Sequence, residues 1–168
     1  MKKVLHKGFS LVEIIIYVSI LALVMVVIVN TLLSFGSTYR DVRMQRSIDT
    51  SALTSLERMT RDIRSAKNIL VNQSSFNTTP GVLSLYAVDG TVSTTTRFYL
   101  NNSVLQVDIN GTYSGPLTLA QVSVTNLTFN RLVSTSSEAV KINMTLQYVY
   151  GSTTKTKNYQ TTVVLKGV

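Results

Sequence analysis

The N-terminal part of the chain contains one long apolar segment, Phe9–Phe35, with the sequence FSLVEIIIYVSILALVMVVIVNTLLSF. The run from Ile14 to Val29 within it is interrupted only by Ser19. About 20 residues of α-helix cross the hydrocarbon core of a bilayer. The segment is therefore long enough to span a membrane as a helix. Any fold for this chain must bury this apolar segment in lipid or against other apolar surfaces.

The composition is unusual for a basic protein. The chain has 168 residues and a formal net charge of +8, yet only 14% of its residues are charged and its mean hydropathy is +0.23. A basic nucleic-acid binder is usually rich in charge and hydrophilic, so the hydropathy indicates concentrated apolar residues instead. The length allows one domain with an appendage. The absence of cysteine excludes disulfides and thiolate chemistry.

Charges flank the apolar segment asymmetrically. Lys2, Lys3 and Lys7 precede it, and no basic residue follows until Arg40, which predicts a cytoplasmic N-terminus and an extracytoplasmic remainder. A secretory signal has a shorter apolar region and an A-x-A-like cleavage site. A plain anchor fits the length but not Glu13, because a carboxylate in a spanning helix costs about 2.5 kcal/mol or more. A position of Glu13 near the headgroups would reduce that cost.

The segment Lys7–Glu13, KGFSLVE, resembles the class III signal of type IV prepilins and pseudopilins. The resemblance implies that prepilin peptidase cuts between Gly8 and Phe9 and that the new Phe9 amine is methylated. It also makes Glu13 the glutamate of the motif, with a role in subunit assembly. A carboxylate in apolar surroundings seeks a positive partner, and the Phe9 amine of a neighbouring subunit supplies one.

The resemblance also implies partners and a location. The partners are other pilin or pseudopilin subunits, the prepilin peptidase, the inner-membrane assembly platform and, before assembly, membrane lipid. The protein would first cross the cytoplasmic (inner) membrane once and then join an extracytoplasmic filament.

The helix is expected to continue beyond the membrane. Apolar residues recur in steps of four and three, which places them on one helix face: Ala52, Leu56, Met59, Ile63, Ala66 and Leu70. The helix is expected to end near 68–72, before Pro80, and to be weakest at Gly36. We therefore divide the chain into a cleaved leader (1–8), a transmembrane and polymerisation helix (9–35), its amphipathic continuation (36–72) and a β-sheet head domain (73–168).

From residue 80 the apolar period becomes two, with hairpin signals at Asp89-Gly90, Asn101-Asn102 and Asn110-Gly111. Two separate strands are expected to follow at 117–124 and 126–132. Apolar and polar residues alternate most regularly in the run 139–150, which predicts one face toward the helix and one toward solvent. The expected fold is α+β, a long N-terminal helix packed on a C-terminal antiparallel β-sheet in a ladle-shaped, pilin-like subunit. The stretches RFYLNNSVLQV, LTLAQVSVTNLTF and AVKINMTLQY are similar to J-type pseudopilins and related minor pilins.

No motif after residue 8 is typical of catalysis. The single histidine, His6, lies in the predicted leader, so we expect no enzyme activity, no cofactor and no metal site. Basic residues recur every three positions along the predicted helix: Arg40, Arg43, Arg46, Arg58, Arg61, Arg64 and Lys67. Such a stripe binds DNA by counterion release, but a solvated or intersubunit helix face is the favoured interpretation.

The sequence thus predicts a structural minor pilin or pseudopilin of a type IV pilus, a competence pilus or a type II secretion pseudopilus. Two alternatives stay open. One is a filament-borne module for DNA uptake or adhesion, and the other is an unrelated membrane-anchored extracytoplasmic protein.

Overall fold

The structure, a computed structural model, describes residues 10–135 and 137–166. The chain divides between Val42 and Arg43 into two compact units. We call them the N-terminal unit and the C-terminal unit. The first consists of helix as far as it is described, and the second contains all the strands.

One long helix precedes all the strands, so the fold is α+β as expected. The helix is α1 (Leu11–Ser65), and a one-turn 3₁₀ helix covers Val71–Gln73. The strands are β1 (Asn68–Ile69), β2 (Leu83–Asp89), β3 (Val92–Asn101), β4 (Val104–Ile109), β5 (Thr112–Pro116), β6 (Val122–Val133), β7 (Glu138–Tyr150) and β8 (Thr153–Val164).

The strands form two antiparallel sheets rather than the single sheet that we expected. The first has the order β1-β2-β3-β4-β5 and the second the order β6-β7-β8. The three predicted turns each connect neighbouring strands of the first sheet, and Asn102, Asn110 and Gly90 adopt positive φ angles there, as tight hairpin turns require.

The C-terminal part of α1 supplies one wall of the core. Its buried side chains repeat at helical spacing: Met44, Ile48, Ser51, Ala52, Ser55, Met59 and Ile63. The predicted apolar stripe is thus confirmed at Ala52, Met59 and Ile63, and it begins two turns earlier than we expected. On β7 the predicted alternation holds, with every second side chain from Val140 to Tyr148 buried.

The helix ends at Ser65, before the predicted limit at residue 72. The backbone N–H of Lys67 donates to the carbonyl of Tyr86 at 2.8 Å, and that of Leu70 donates to Ser84 at 2.9 Å. Sheet hydrogen bonds therefore replace helical ones from this point. Asn68–Ile69 pairs with β2 as a short strand. Local helix propensity does not predict this change from helix to strand.

The two strands predicted at 117–124 and 126–132 are one strand, β6. An irregularity in its pairing with β7 lies between Val124 and Asn126, and such a bulge breaks the period-two pattern without ending the strand. Residues 117–121 precede β6 as an irregular connection. The strand β5 was not predicted, because TYSGP lacks an apolar alternation.

Two buried serines attach α1 to that connection. The hydroxyl of Ser55 donates to the carbonyl of Leu117 at 3.0 Å, and the hydroxyl of Ser51 accepts the N–H of Leu119 at 3.2 Å. Because residues 117–121 are irregular, their backbone groups need partners outside a strand ladder. The serines supply them from within an otherwise apolar helix face.

A charged cluster joins α1 to β8. The Nζ atom of Lys157 lies 2.9 Å from Oδ1 and 3.1 Å from Oδ2 of Asp49, and the Tyr159 hydroxyl donates to Oδ1. The Tyr159 hydrogen bond, followed by that of Lys157, lowers the pKa of Asp49 below its ordinary value of 3.8. Burial first, and then the Asp49 carboxylate, raises the pKa of Tyr159 well above its ordinary range.

We predict that Met59→Ala lowers the free energy of unfolding of the C-terminal unit by about 2–5 kcal/mol, because the side chain is fully buried and its removal leaves a cavity. Leu53→Ala is the matched control on the same helix, since Leu53 is 65% exposed, and it should cost less than about 0.5 kcal/mol. Urea unfolding of the full chain in detergent micelles, followed by the β-sheet circular dichroism signal, measures both. Equal losses would contradict the assignment of the buried helix face.

We predict that Asp49→Asn lowers the free energy of unfolding by about 0.5–1 kcal/mol at pH 7, since the pair with Lys157 is partly exposed to solvent. The folded-state pKa of Asp49 is lowered, so its contribution is present above the unfolded pKa and is lost as pH falls through the folded value. The difference from wild type should therefore shrink as the pH falls below 3.8 and disappear once the pH lies below the lowered folded-state pKa. Asp89→Asn, at the exposed end of β2, is the control, and a D49N deficit that persists in acid would rule out the charge contribution.

Candidate membrane and assembly segment

The N-terminal unit presents an apolar helix with no packed face. Every large apolar side chain between residues 11 and 39 is exposed, from 47% at Val29 to 74% at Leu11. Among the described residues, α1 is the helix long and apolar enough to cross a membrane, and none of its most apolar window is buried. A core helix of a soluble protein would be mostly buried, so this helix has the surface of a membrane segment rather than of a core.

The hydroxyl groups within the apolar run are satisfied by the helix itself. Ser19 donates to the carbonyl of Ile15 and Thr31 to that of Val27, each at 2.8 Å. These bonds to the carbonyl four residues earlier are the usual way in which serine and threonine avoid unsatisfied groups in a helix. In lipid every such polar group must find its hydrogen bond within the protein, because no water is present to supply one.

Glu13 lies in the first turn of α1 and is partly buried. The hydroxyl of Tyr17, one helical turn further on, donates to its Oε1 atom at 3.3 Å. The amide-rich N-terminus of a helix also favours an anion there. Sequence reasoning did not single out Tyr17, although its spacing of four residues from Glu13 is the spacing at which helical side chains meet.

The cleavage and methylation residues, Gly8 and Phe9, lie outside the described residues. The pairing of Glu13 with a neighbouring Phe9 amine therefore stays a prediction. The carboxylate can accept about four hydrogen bonds. The Tyr17 hydroxyl uses one of them, so the carboxylate retains capacity to accept bonds from a second donor.

The helix remains α-helical through Gly36, where we expected its weakest point. The Ser37 and Thr38 hydroxyls both donate to the carbonyl of Ser34, at 2.8 and 3.0 Å, and Arg40 Nε donates to the carbonyl of Gly36 at 3.2 Å.

The predicted basic stripe is not a uniform helix face. Arg58 is partly buried and its Nε lies 2.8 Å from Asp62, while Arg61 approaches the same carboxylate at 3.7 Å. Arg64 is exposed at the last turn. Lys67 does not lie on the helix at all, since its backbone has joined the sheet.

The other three members of the stripe, Arg40, Arg43 and Arg46, are exposed on α1. Arg40 belongs to the N-terminal unit, and Arg43 and Arg46 belong to the C-terminal unit. On a helix of 3.6 residues per turn, side chains three residues apart differ in direction around the helix axis by about 60°. The spacing therefore distributes the charges around the helix instead of aligning them.

Residues 5–29 match the family model described as the prokaryotic N-terminal methylation motif. This motif is the class III signal peptide of type IV pilins and pseudopilins, so residues 5–29 carry that signal. It implies processing by prepilin peptidase and assembly with other pilin subunits, and it fits membrane anchoring through the apolar helix. No curated protein and no solved structure matches the chain.

Proposed function

We propose that the protein is a minor pilin or pseudopilin, a structural subunit without enzymatic activity. The observation that carries the proposal is the apolar half of α1, in which every large apolar side chain is exposed and which begins within the methylation motif. Cleavage in front of this helix, rather than behind it, leaves it in the mature chain. The helix then serves first as a membrane segment and later as the element that packs between subunits.

The assembly role of Glu13 follows from its position. In the membrane or in the apolar interior of a filament, an unpaired carboxylate is costly. A salt bridge to the methylated Phe9 amine of the next subunit offsets that cost, because methylation leaves the amine cationic. The pairing also sets the axial register between subunits, since any other register leaves both charges unpaired.

A minor rather than major role is supported by two sequence features. The apolar half of the helix lacks the proline that many pilins carry there, and the sheet half resembles J-type pseudopilins and minor pilins. The machine would be a type IV pilus, a competence pilus or a type II secretion pseudopilus. The mature chain would contain neither histidine nor cysteine, which supports a structural and not a catalytic subunit.

We predict that the mature protein begins at Phe9 and carries one added methyl group on its amine. Mass spectrometry of the protein purified from membranes measures both features. The control is the same chain produced in cells without prepilin peptidase, which should keep residues 1–8. A mature N-terminus at any other residue would overturn the proposed processing.

We predict that Glu13→Ala is processed normally but enters filaments at least about tenfold less efficiently, because leaving one charge of a buried pair unpartnered costs several kcal/mol. Immunoblots of sheared filaments against total membrane protein measure incorporation. Tyr17→Phe is the control, since it removes only the 3.3 Å hydrogen bond and should stay within about threefold of wild type. Wild-type incorporation of the Glu13 variant would remove the charge pairing and leave the processing intact.

A further inference from the structure

β8 is an edge strand whose outer side has no backbone partner among the described residues. The N–H of Leu165 donates to the carbonyl of Glu138, and this pair continues the register in which Val164 faces Ala139. Hydrogen-bonded pairs alternate along an antiparallel ladder. The odd-numbered residues of β8 therefore bond to β7, and the even-numbered ones direct their backbone groups outward: Thr154, Thr156, Asn158, Gln160, Thr162 and Val164.

The opposite edge of the same sheet confirms this alternation and is covered. There the carbonyls of Leu127 and Phe129 point away from β7, and they accept the N–H groups of Gly81 and Asn77, each at 2.8 Å. A Cβ atom at Gly81 would lie only 3.0 Å from Phe129 Cδ2 and 3.2 Å from the Leu127 carbonyl oxygen, so glycine permits this close cover. The chain thus protects one edge of the sheet with its own backbone and leaves the other available.

A groove of about 740 Å³ runs between the open edge of β8 and α1. The helix contributes Leu53 and Leu56 to its lining, and β8 contributes Gln160, one of the residues with outward-directed backbone groups. An apolar wall beside unpaired backbone donors and acceptors is the arrangement that receives an added β-strand, since the backbone supplies affinity and the wall receives every second side chain.

The groove carries an excess of positive charge. Arg61 and Arg64 line it together with a single acid, Glu57. Arg64 has no ion-pair partner within the described residues. The carboxylate nearest to Arg61 is Asp62, which is already bonded to Arg58. An incoming carboxylate can therefore form an ion pair here without displacing an existing one.

We propose that this groove binds an extended acidic segment of a different protein, which adds to β8 as a fourth strand and places a carboxylate on Arg64. A second copy of this chain is a poor occupant. The strand β8 contains Lys155 and Lys157 and no acid, and the whole chain carries a net charge of +8. The proposal concerns the C-terminal unit and does not depend on the processing or polymerisation of the N-terminal helix.

The test uses the full chain in detergent micelles and a blocked peptide in which valine alternates with threonine and one of the valines is replaced by aspartate, so that the carboxylate lies on the same strand face as the valines and can reach α1. The peptide is used at about 1 mM, where even a millimolar Kd half-fills the site. NMR measures hydrogen exchange at the outward amides of β8, those of Thr156, Asn158, Gln160 and Thr162. We expect exchange at these amides to slow about twofold when half of the sites are occupied, and to slow further as more peptide is added. The amides of Tyr159 and Thr161, already bonded to β7, should not change. The same peptide with lysine in place of aspartate, and one with every amide N-methylated, should give no protection.

Two pairs of variants separate the backbone from the charge. Gln160→Pro removes one outward N–H group and leaves the neighbouring hydrogen bonds to β7 in place. An edge strand tolerates proline at such a position. This variant should bind the peptide at least about tenfold more weakly. Gln160→Val keeps the N–H and should bind as wild type. Arg64→Glu should weaken the aspartate peptide at least about tenfold, whereas Arg46→Glu, an exposed reversal on the same helix outside the groove, should not.

Three outcomes would overturn the proposal. The first is the absence of added protection at the outward amides with the aspartate peptide, and the second is equal protection by the lysine peptide. The third is protection that rises with protein concentration in the absence of peptide, which would identify a second copy as the occupant. If Gln160→Pro fails to fold, the N-methylated peptide alone decides whether backbone pairing is required.

Discussion

The buried stripe of α1 from Met44 to Ile63 is the constraint on which the C-terminal unit depends. Neither sheet encloses a core alone, because each buries one face, and the helix supplies apolar side chains against which those faces pack. Burial of a large apolar side chain contributes about 1.5–3 kcal/mol, and this stripe buries Met44, Ile48, Met59 and Ile63 against the sheets. The polar contacts of the helix, through Ser51, Ser55 and Asp49, then fix where the irregular segments and β8 attach.

One helix thus has two kinds of surface. In the N-terminal unit its apolar side chains point outward in every direction, a surface that is stable only in lipid or against other apolar helices. In the C-terminal unit the apolar side chains narrow to one face, and polar and charged residues occupy the others. The change in pattern fits a chain that is anchored in a membrane by its apolar helix, as the class III signal also does, and that carries a folded domain as well.

The charged residues follow the same division. In the N-terminal unit Glu13 lies within the apolar run, is partly buried and accepts one hydrogen bond from Tyr17. We propose that a cation of another subunit pairs with it. In the C-terminal unit Asp62 forms an ion pair with Arg58, and Glu138 forms one with Arg131. Arg64 has no ion-pair partner within the described residues, and it lies beside the unpaired edge of β8. Glu13 and Arg64 are therefore the two described residues whose partners we propose to lie on other molecules.

The sequence by itself determined the features that depend on neighbours along the chain. These were the apolar helix, the methylation motif at its start, the hairpin turns and the alternating strands, because each follows from a local period or a short motif. Only the tertiary structure decided the end of the helix at Ser65, the merger of two predicted strands into β6 and the division into two sheets. Each of these depends on hydrogen bonds between distant residues, such as Lys67 with Tyr86 and Gly81 with Leu127. The bond from Gly81, with that from Asn77 to Phe129, covers the β6 edge. The β8 edge has no such backbone partner among the described residues, and no local pattern in the sequence distinguishes the two edges.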